Sequence, residues 1–230
     1  MYDQLIWGAT VLQMLERVGT DGNVVAVIRH SERPSFDNLP CHEWEKVGLT
    51  AKGNLEATKF GAFLGKFQTV KSFQVFGWGE KRCVETAKAI SQGAQRESAE
   101  VIGPLSINLK SPIADRIAYD KALFSCRWDL WDRMINDWLI DETPQTIMLP
   151  ARKWAKEICL ALISRRFCLH GKITIIVTHD LHILPVSRLF FPSSSRSLDY
   201  LNGVVLRVNC DQVIVGFNGE YVKIKNKDSL

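Results

Sequence analysis

Two short runs of the chain are almost wholly apolar, rich in β-branched residues, and empty into a histidine. Val24-Val25-Ala26-Val27-Ile28 leads into Arg29-His30-Ser31-Glu32-Arg33-Pro34, and Ile173-Thr174-Ile175-Ile176-Val177 leads into Thr178-His179-Asp180. Apolar runs of this length, without polar alternation, predict strands buried on both faces, as in a parallel sheet. Around them the period lengthens to that of helices. Residues 3–18 carry Leu5, Leu12 and Leu15 near one face, and Gly19 to Asn23 supply a stop. Residues 35–48 read as a loop. Thr50 is placed to cap a helix reaching about Phe67, with Phe60, Phe63, Leu64 and Phe67 on one side. A short strand over Phe73 to Phe76, a helix from Lys81 to Gly93 and a weak strand near Val101 follow.

The alternation breaks over residues 103–150, a stretch rich in Trp, Asp and Arg. It predicts one helix inside a long insertion. Trp128, Trp131 and Trp138 fall near one helical face, which reads as packing. A helix to Phe167 then precedes the second histidine-tipped strand. Strands near 204–208 and 212–217, joined by a turn, and a third over 221–225 close the pattern. The β-α-β-α order predicts one domain over residues 1–230. Its expected architecture is a three-layer α/β/α sandwich with a mainly parallel central sheet. Residues 103–150 are expected to form a helical cap insertion above the carboxyl ends of the strands.

Composition narrows the function classes. Of 230 residues, 46% are hydrophobic and 23% charged, ordinary for a soluble globular chain. The net charge of +4 is a mild excess without a dense Lys/Arg run, so no nucleic-acid partner is expected. The six cysteines include no CxxC pair, and no metal site or other cofactor is expected. The amino terminus has the pattern of an amphipathic helix and lacks a signal-peptide start, and no run is long enough to span a membrane. A cytoplasmic location is the expectation. Oligomeric state is not legible.

If the two histidine-tipped strands are neighbours, their tips lie about 5 Å apart. That gathers His30, His179, Arg29 and Arg33 at one sheet edge. Guanidinium forks suit the peripheral oxygens of a phosphoryl group and follow its charge into the transition state. A neutral imidazole can attack phosphorus and form a covalent intermediate that water later cleaves. No metal is then required.

These residues carry a resemblance. Arg29-His30-Ser31-Glu32-Arg33 resembles the R-H-x-x-R motif of the histidine phosphatase superfamily, which includes phosphoglycerate mutase-like and acid phosphatase-like proteins. Leu49-Thr50-Ala51-Lys52-Gly53 is similar to its L-T-x-x-G helix start. Arg82-Cys83-Val84-Glu85-Thr86-Ala87 is similar to R-x-x-x-T-A, and Thr178-His179-Asp180 to the late histidine motif. The resemblance implies His30 as nucleophile, with Arg29, Arg33, Arg82 and His179 on the phosphoryl group. It implies a phosphomonoester substrate, either a small phosphorylated molecule or a phosphoprotein.

The general acid differs between branches. The acid phosphatase-like branch uses the Asp after the second His, which is Asp180 here. The mutase-like branch uses an acidic residue after R-x-x-x-T-A, for which Asp115 and Asp120 are nearest. Asp180 is favoured. Ser31 stands where the family has Gly, Trp78 where it often has Ser, and Pro34 directly follows Arg33. His182, just beyond Asp180, reads as a structural histidine. Mutase-like phosphoryl transfer and a non-catalytic phosphate-binding module are the alternatives to hydrolysis.

Overall fold

The computed structural model describes residues 2–19, 22–36, 39, 41–67, 70, 72–95, 100–107, 111–125, 131–163, 172–193, 197–209 and 212–225. Trp128, the side chain of Trp131, and Cys126, Cys168 and Cys210 lie outside this description. Among the described residues, helices α1 (Ala9–Val18), α2 (Ala51–Leu64), α3 (Lys81–Ala94), α4 (Arg116–Ser125), α5 (Trp131–Leu139), α6 (Ala151–Ile163) and α7 (Asp180–Phe190) accompany one seven-stranded sheet. Its strands are β1 (Asn23–Arg29), β2 (Ser72–Trp78), β3 (Glu100–Ile107), β4 (Lys172–Thr178), β5 (Gly203–Val208), β6 (Val213–Phe217) and β7 (Glu220–Ile224), in the order β3-β2-β4-β1-β5-β6-β7.

The four strands β3-β2-β4-β1 run parallel, and β5, β6 and β7 continue the sheet antiparallel. β1 and β4 are direct neighbours, with Ile28 opposite Val177 and Arg29 opposite Thr178. Both histidine-tipped runs therefore end at the same edge. The apolar strands feed two cores by strand alternation. Val25 and Val27 of β1 face a layer with Trp154, Ile158 and Leu184 from α6 and α7. Val24, Ala26 and Ile28 face a layer with Leu12, Phe60 and Ile90 from α1, α2 and α3. This is the three-layer sandwich expected. In the second layer α2 and α3 approach backbone to backbone: a Cβ on Gly93 would lie 2.0 Å from the Thr58 carbonyl oxygen.

Several boundaries differ from the pattern. α1 starts at Ala9, because Gly8 before it adopts a left-handed φ of 86° that opens the helix there. The expected loop over 35–48 contains a 3₁₀ helix, Cys41–Lys46. Residues 103–107 belong to edge strand β3, and the remainder of 103–150 contains two helices, α4 and α5, in place of one. Trp138 is fully buried against Trp154, as packing requires, and its Nε1 donates to the Leu149 carbonyl at 2.7 Å. Helix α7 was not distinct in the sequence pattern. It carries Pro185 in its interior and starts directly at the tip of β4. Cys83 and Cys159 are buried free thiols. Among the described residues, no helix is long and apolar enough to cross a membrane.

Candidate active site

His30 follows the last residue of β1, and its backbone N–H donates to the Thr178 carbonyl at 2.9 Å. The sheet register is thus extended one residue and seats His30 beside β4. The imidazole is buried, 3% exposed. Its Nδ1 lies 2.7 Å from the Ser31 carbonyl oxygen. A carbonyl accepts only, so this contact places the ring proton on Nδ1 and leaves the Nε2 lone pair free. Arg82 Nε donates to that Nε2 at 3.2 Å. Burial, reinforced by the neighbouring His179, Arg82 and Arg29, holds the His30 pKa well below its usual 6.5. The ring is therefore neutral.

The loop that carries His30 is fixed by the other motifs. The Ser31 N–H donates to Thr86 Oγ1 at 3.0 Å, and Thr86 Oγ1 donates to the Arg82 carbonyl at 2.7 Å. Ser31 Oγ donates to the Gly53 carbonyl at 2.7 Å, so the side chain points into α2. Thr50 caps α2 by accepting from the Gly53 N–H at 2.9 Å, and its hydroxyl donates to Glu32 at 2.6 Å. A Cβ on Gly53 would sit 2.2 Å from the Glu32 carbonyl oxygen. Only glycine permits that approach.

Around His30 the expected cradle is assembled. The His30 and His179 rings lie 5.3 Å apart, centroid to centroid. Arg82, at the start of α3, is 7% exposed. Its Nη1 donates to the Trp44 carbonyl at 2.8 Å, and its Nη2 is 3.5 Å from His179 Nδ1. Arg29 donates to the Leu198 carbonyl, lies over the Tyr200 ring at 4.7 Å and pairs with Asp180 at 3.4 Å. Arg33 lies over the Phe36 ring at 3.3 Å, and burial lowers its pKa to about 10, still fully charged at neutral pH. All six expected site residues, His30, His179, Asp180, Arg29, Arg33 and Arg82, line one cavity of about 750 Å³.

The three candidate acids occupy different places. Asp180 opens α7, and its Oδ1 accepts from the Leu181 N–H at 2.9 Å. Burial alone would raise its pKa, but Arg29, His179, the Leu181 amide and Arg33 outweigh that and lower it. Asp115 accepts from the Ile117 and Ala118 N–H groups and serves the start of α4. Asp120 lines the same cavity, where Arg116 Nε donates to both of its oxygens.

Glu80 is the site residue that the sequence reasoning missed. It stands at the N-cap of α3, yet its side chain makes no cap hydrogen bond. It turns instead to His179 Nε2 at 3.3 Å and to the Arg82 guanidinium. Burial pushes its carboxyl upward, but His179 and Arg82 prevail and bring it to about 2. Its signal was its place two residues before Arg82, at the end of β2. His182 also faces the cavity. Its Nδ1 is 2.9 Å from Thr178 Oγ1, and its Nε2 has no hydrogen-bond partner among the described residues. Burial, reinforced by His179, lowers its pKa to about 3. Trp78 packs 4.3 Å from the His182 ring.

No protein-family model matches the sequence, and no curated protein matches it. Solved structures do. The chain is similar to Bacillus stearothermophilus YhfR, at 15% identity and a TM-score of 0.53 over 89% of this chain and 96% of that one. It is similar to Rv3214 from Mycobacterium tuberculosis, at 15% identity and a TM-score of 0.51 over 86% and 97%. A phosphoglycerate mutase from Bacillus anthracis gives 16% identity and a TM-score of 0.47 over 90% and 95%. At these identities the likeness to YhfR and Rv3214 is one of fold.

Proposed function

We propose that this protein is a phosphomonoester hydrolase that works through a phosphohistidine on His30. The observation that carries the reading is the state of one nitrogen. His30 Nε2 is unprotonated, buried, and faces Arg82 in a cradle of three guanidiniums and a second imidazole.

Arg29, Arg33, Arg82 and His179 bind the phosphoryl oxygens. They replace their present contacts with charge-assisted bonds to the substrate. His30 Nε2 attacks phosphorus; the N–P bond forms as the ester P–O bond breaks. The leaving oxygen takes a proton from Asp180, and the free alcohol departs. Water then attacks the phosphohistidine, gives its proton to Asp180, and releases phosphate as the N–P bond breaks. Asp180 is held ionised by Arg29 before substrate arrives. A phosphoryl dianion beside it adds negative charge and engages Arg29, both of which favour the protonated carboxyl.

The test is hydrolysis of p-nitrophenyl phosphate in the presence of a chelator, comparing the wild type with His30→Ala. Activity in the former and its loss in the latter supports the reading. Equal rates, or none in either across pH 4 to 8, contradict it.

A further inference from the structure

The cavity is far larger than a phosphoryl group, and its remaining lining specifies what else enters. On the histidine side lie Trp78 and Leu184, with His182 behind Trp78. Trp44, stacked on Phe36 at 4.8 Å with rings within 9° of parallel, forms part of the wall beside the cradle. Ile113, Tyr119 of α4 and Ile135 of α5 complete the lining. This surface is aromatic and aliphatic, whereas the cationic cradle is confined to the His30 end.

The charge of the remaining lining decides the class of ligand. Outside the cradle the arginine of the lining is Arg116, and it is already engaged. Its Nε bonds both Asp120 oxygens at 2.9 and 3.0 Å, and its Nη2 meets Glu45 at 3.5 Å. Two carboxylates against one guanidinium leave that part of the lining net negative. A second carboxylate or phosphate on the substrate would meet acidic groups and no spare cation among the described residues. Small-molecule sites join an apolar lining to a few polar groups, and here the polar groups are those of the His30 cradle.

From this division we infer that the substrate is a small phosphomonoester of an aromatic, apolar alcohol carrying no second anionic group. The inference rests on the hydrolase reading above and gives its substrate class. The phosphoryl group sits among Arg29, Arg33 and Arg82. The ring lies against Trp78 and the Ile113, Tyr119 and Ile135 wall, where aromatic stacking and burial stabilise it.

The experiment compares 2-(1-naphthyl)ethyl phosphate with 3-phosphoglycerate, both of which leave as alkoxides, on the full chain by phosphate release. The expected kcat/KM for the naphthyl ester is higher by about tenfold or more, the scale set by burying a few extra apolar carbons. Ile113→Arg, a half-buried change in the apolar lining that adds a cation, should shrink that ratio by about fivefold or more, with inhibition by inorganic phosphate within about twofold of wild type as the sign of an intact cradle. A ratio near one or reversed, with both esters hydrolysed, overturns this inference and leaves the hydrolase reading standing. The inference is equally overturned by a tyrosine-phosphorylated peptide that exceeds the naphthyl ester in kcat/KM. Absence of hydrolysis of either ester and of p-nitrophenyl phosphate overturns both.

Discussion

Glu80 lets the electrostatics of the site be read as stability. Its carboxyl drops from an ordinary 4.5 to about 2 because His179 and Arg82 favour the charged form more than burial opposes it. A change of that size corresponds to about 3 kcal/mol of preferential stabilisation of the carboxylate. The side chain is 24% exposed, and solvent screening reduces the figure to about 2 kcal/mol. Glu80→Gln keeps the shape and removes the charge. At pH 7 it should lower stability by about 2 kcal/mol, or roughly 4–8 °C in Tm for a chain of this size. The folded pKa lies below the unfolded one, so the stabilisation is complete above pH 4.5 and is lost as pH falls toward 2. The assay is urea denaturation of both proteins at pH 7, 4 and 2.5. A gap that closes on acidification fits. Equal stability at pH 7, or a gap unchanged at pH 2.5, would refute the coupling of Glu80 to His179 and Arg82.

Other consequences follow from the same geometry. Because His30 stays neutral well below pH 6.5, kcat/KM for p-nitrophenyl phosphate, whose electron-poor leaving group puts its own second ionisation well below that of an alkyl ester, should show no acidic limb at 6.5; a profile for this substrate that halves at 6.5 would contradict the burial argument. Asp180→Asn should lower kcat on an alkyl phosphate by about 10²-fold or more and much less on p-nitrophenyl phosphate, whose leaving group needs no proton; equal losses on both would remove Asp180 as the acid. His182 has a folded pKa of about 3 against an ordinary 6.5, so the unfolded chain binds a proton that the folded one refuses between those values. Stability should fall on acidification through that window by up to about 1.4 kcal/mol per pH unit, and His182→Phe should flatten the slope in a denaturation series. Gly53→Ala drives a Cβ into the Glu32 carbonyl and should cost about 1–3 kcal/mol, with a matching loss of kcat as the His30 loop shifts.

Much of the cradle was legible because it lies where strong local signals end. The unbroken apolar runs at Val24–Ile28 and Ile173–Val177 announce central strands, and parallel neighbours deliver His30 and His179 to one edge. Thr50 capping α2 follows from the same kind of short-range rule. What escaped the reading depends on tertiary placement. Glu80 stands just before the helix that starts at Lys81, and only the approach of β4 to α3 turns it onto His179. Trp78 and His182 look like separate core residues until the sheet brings α7 against the end of β2. In the segment after β3, α4 carries little helical periodicity, so one helix was legible where two stand, and Asp120 turns out to serve Arg116.

The central claim is a bond between phosphorus and His30 Nε2. Rapid quenching of the enzyme with a ³²P-labelled phosphomonoester, followed by peptide mapping, tests it most directly. The expected result is acid-labile, base-stable label on the peptide containing His30, and none in His30→Ala. Label on another residue, or turnover that persists in His30→Ala without a phosphoenzyme, would contradict it.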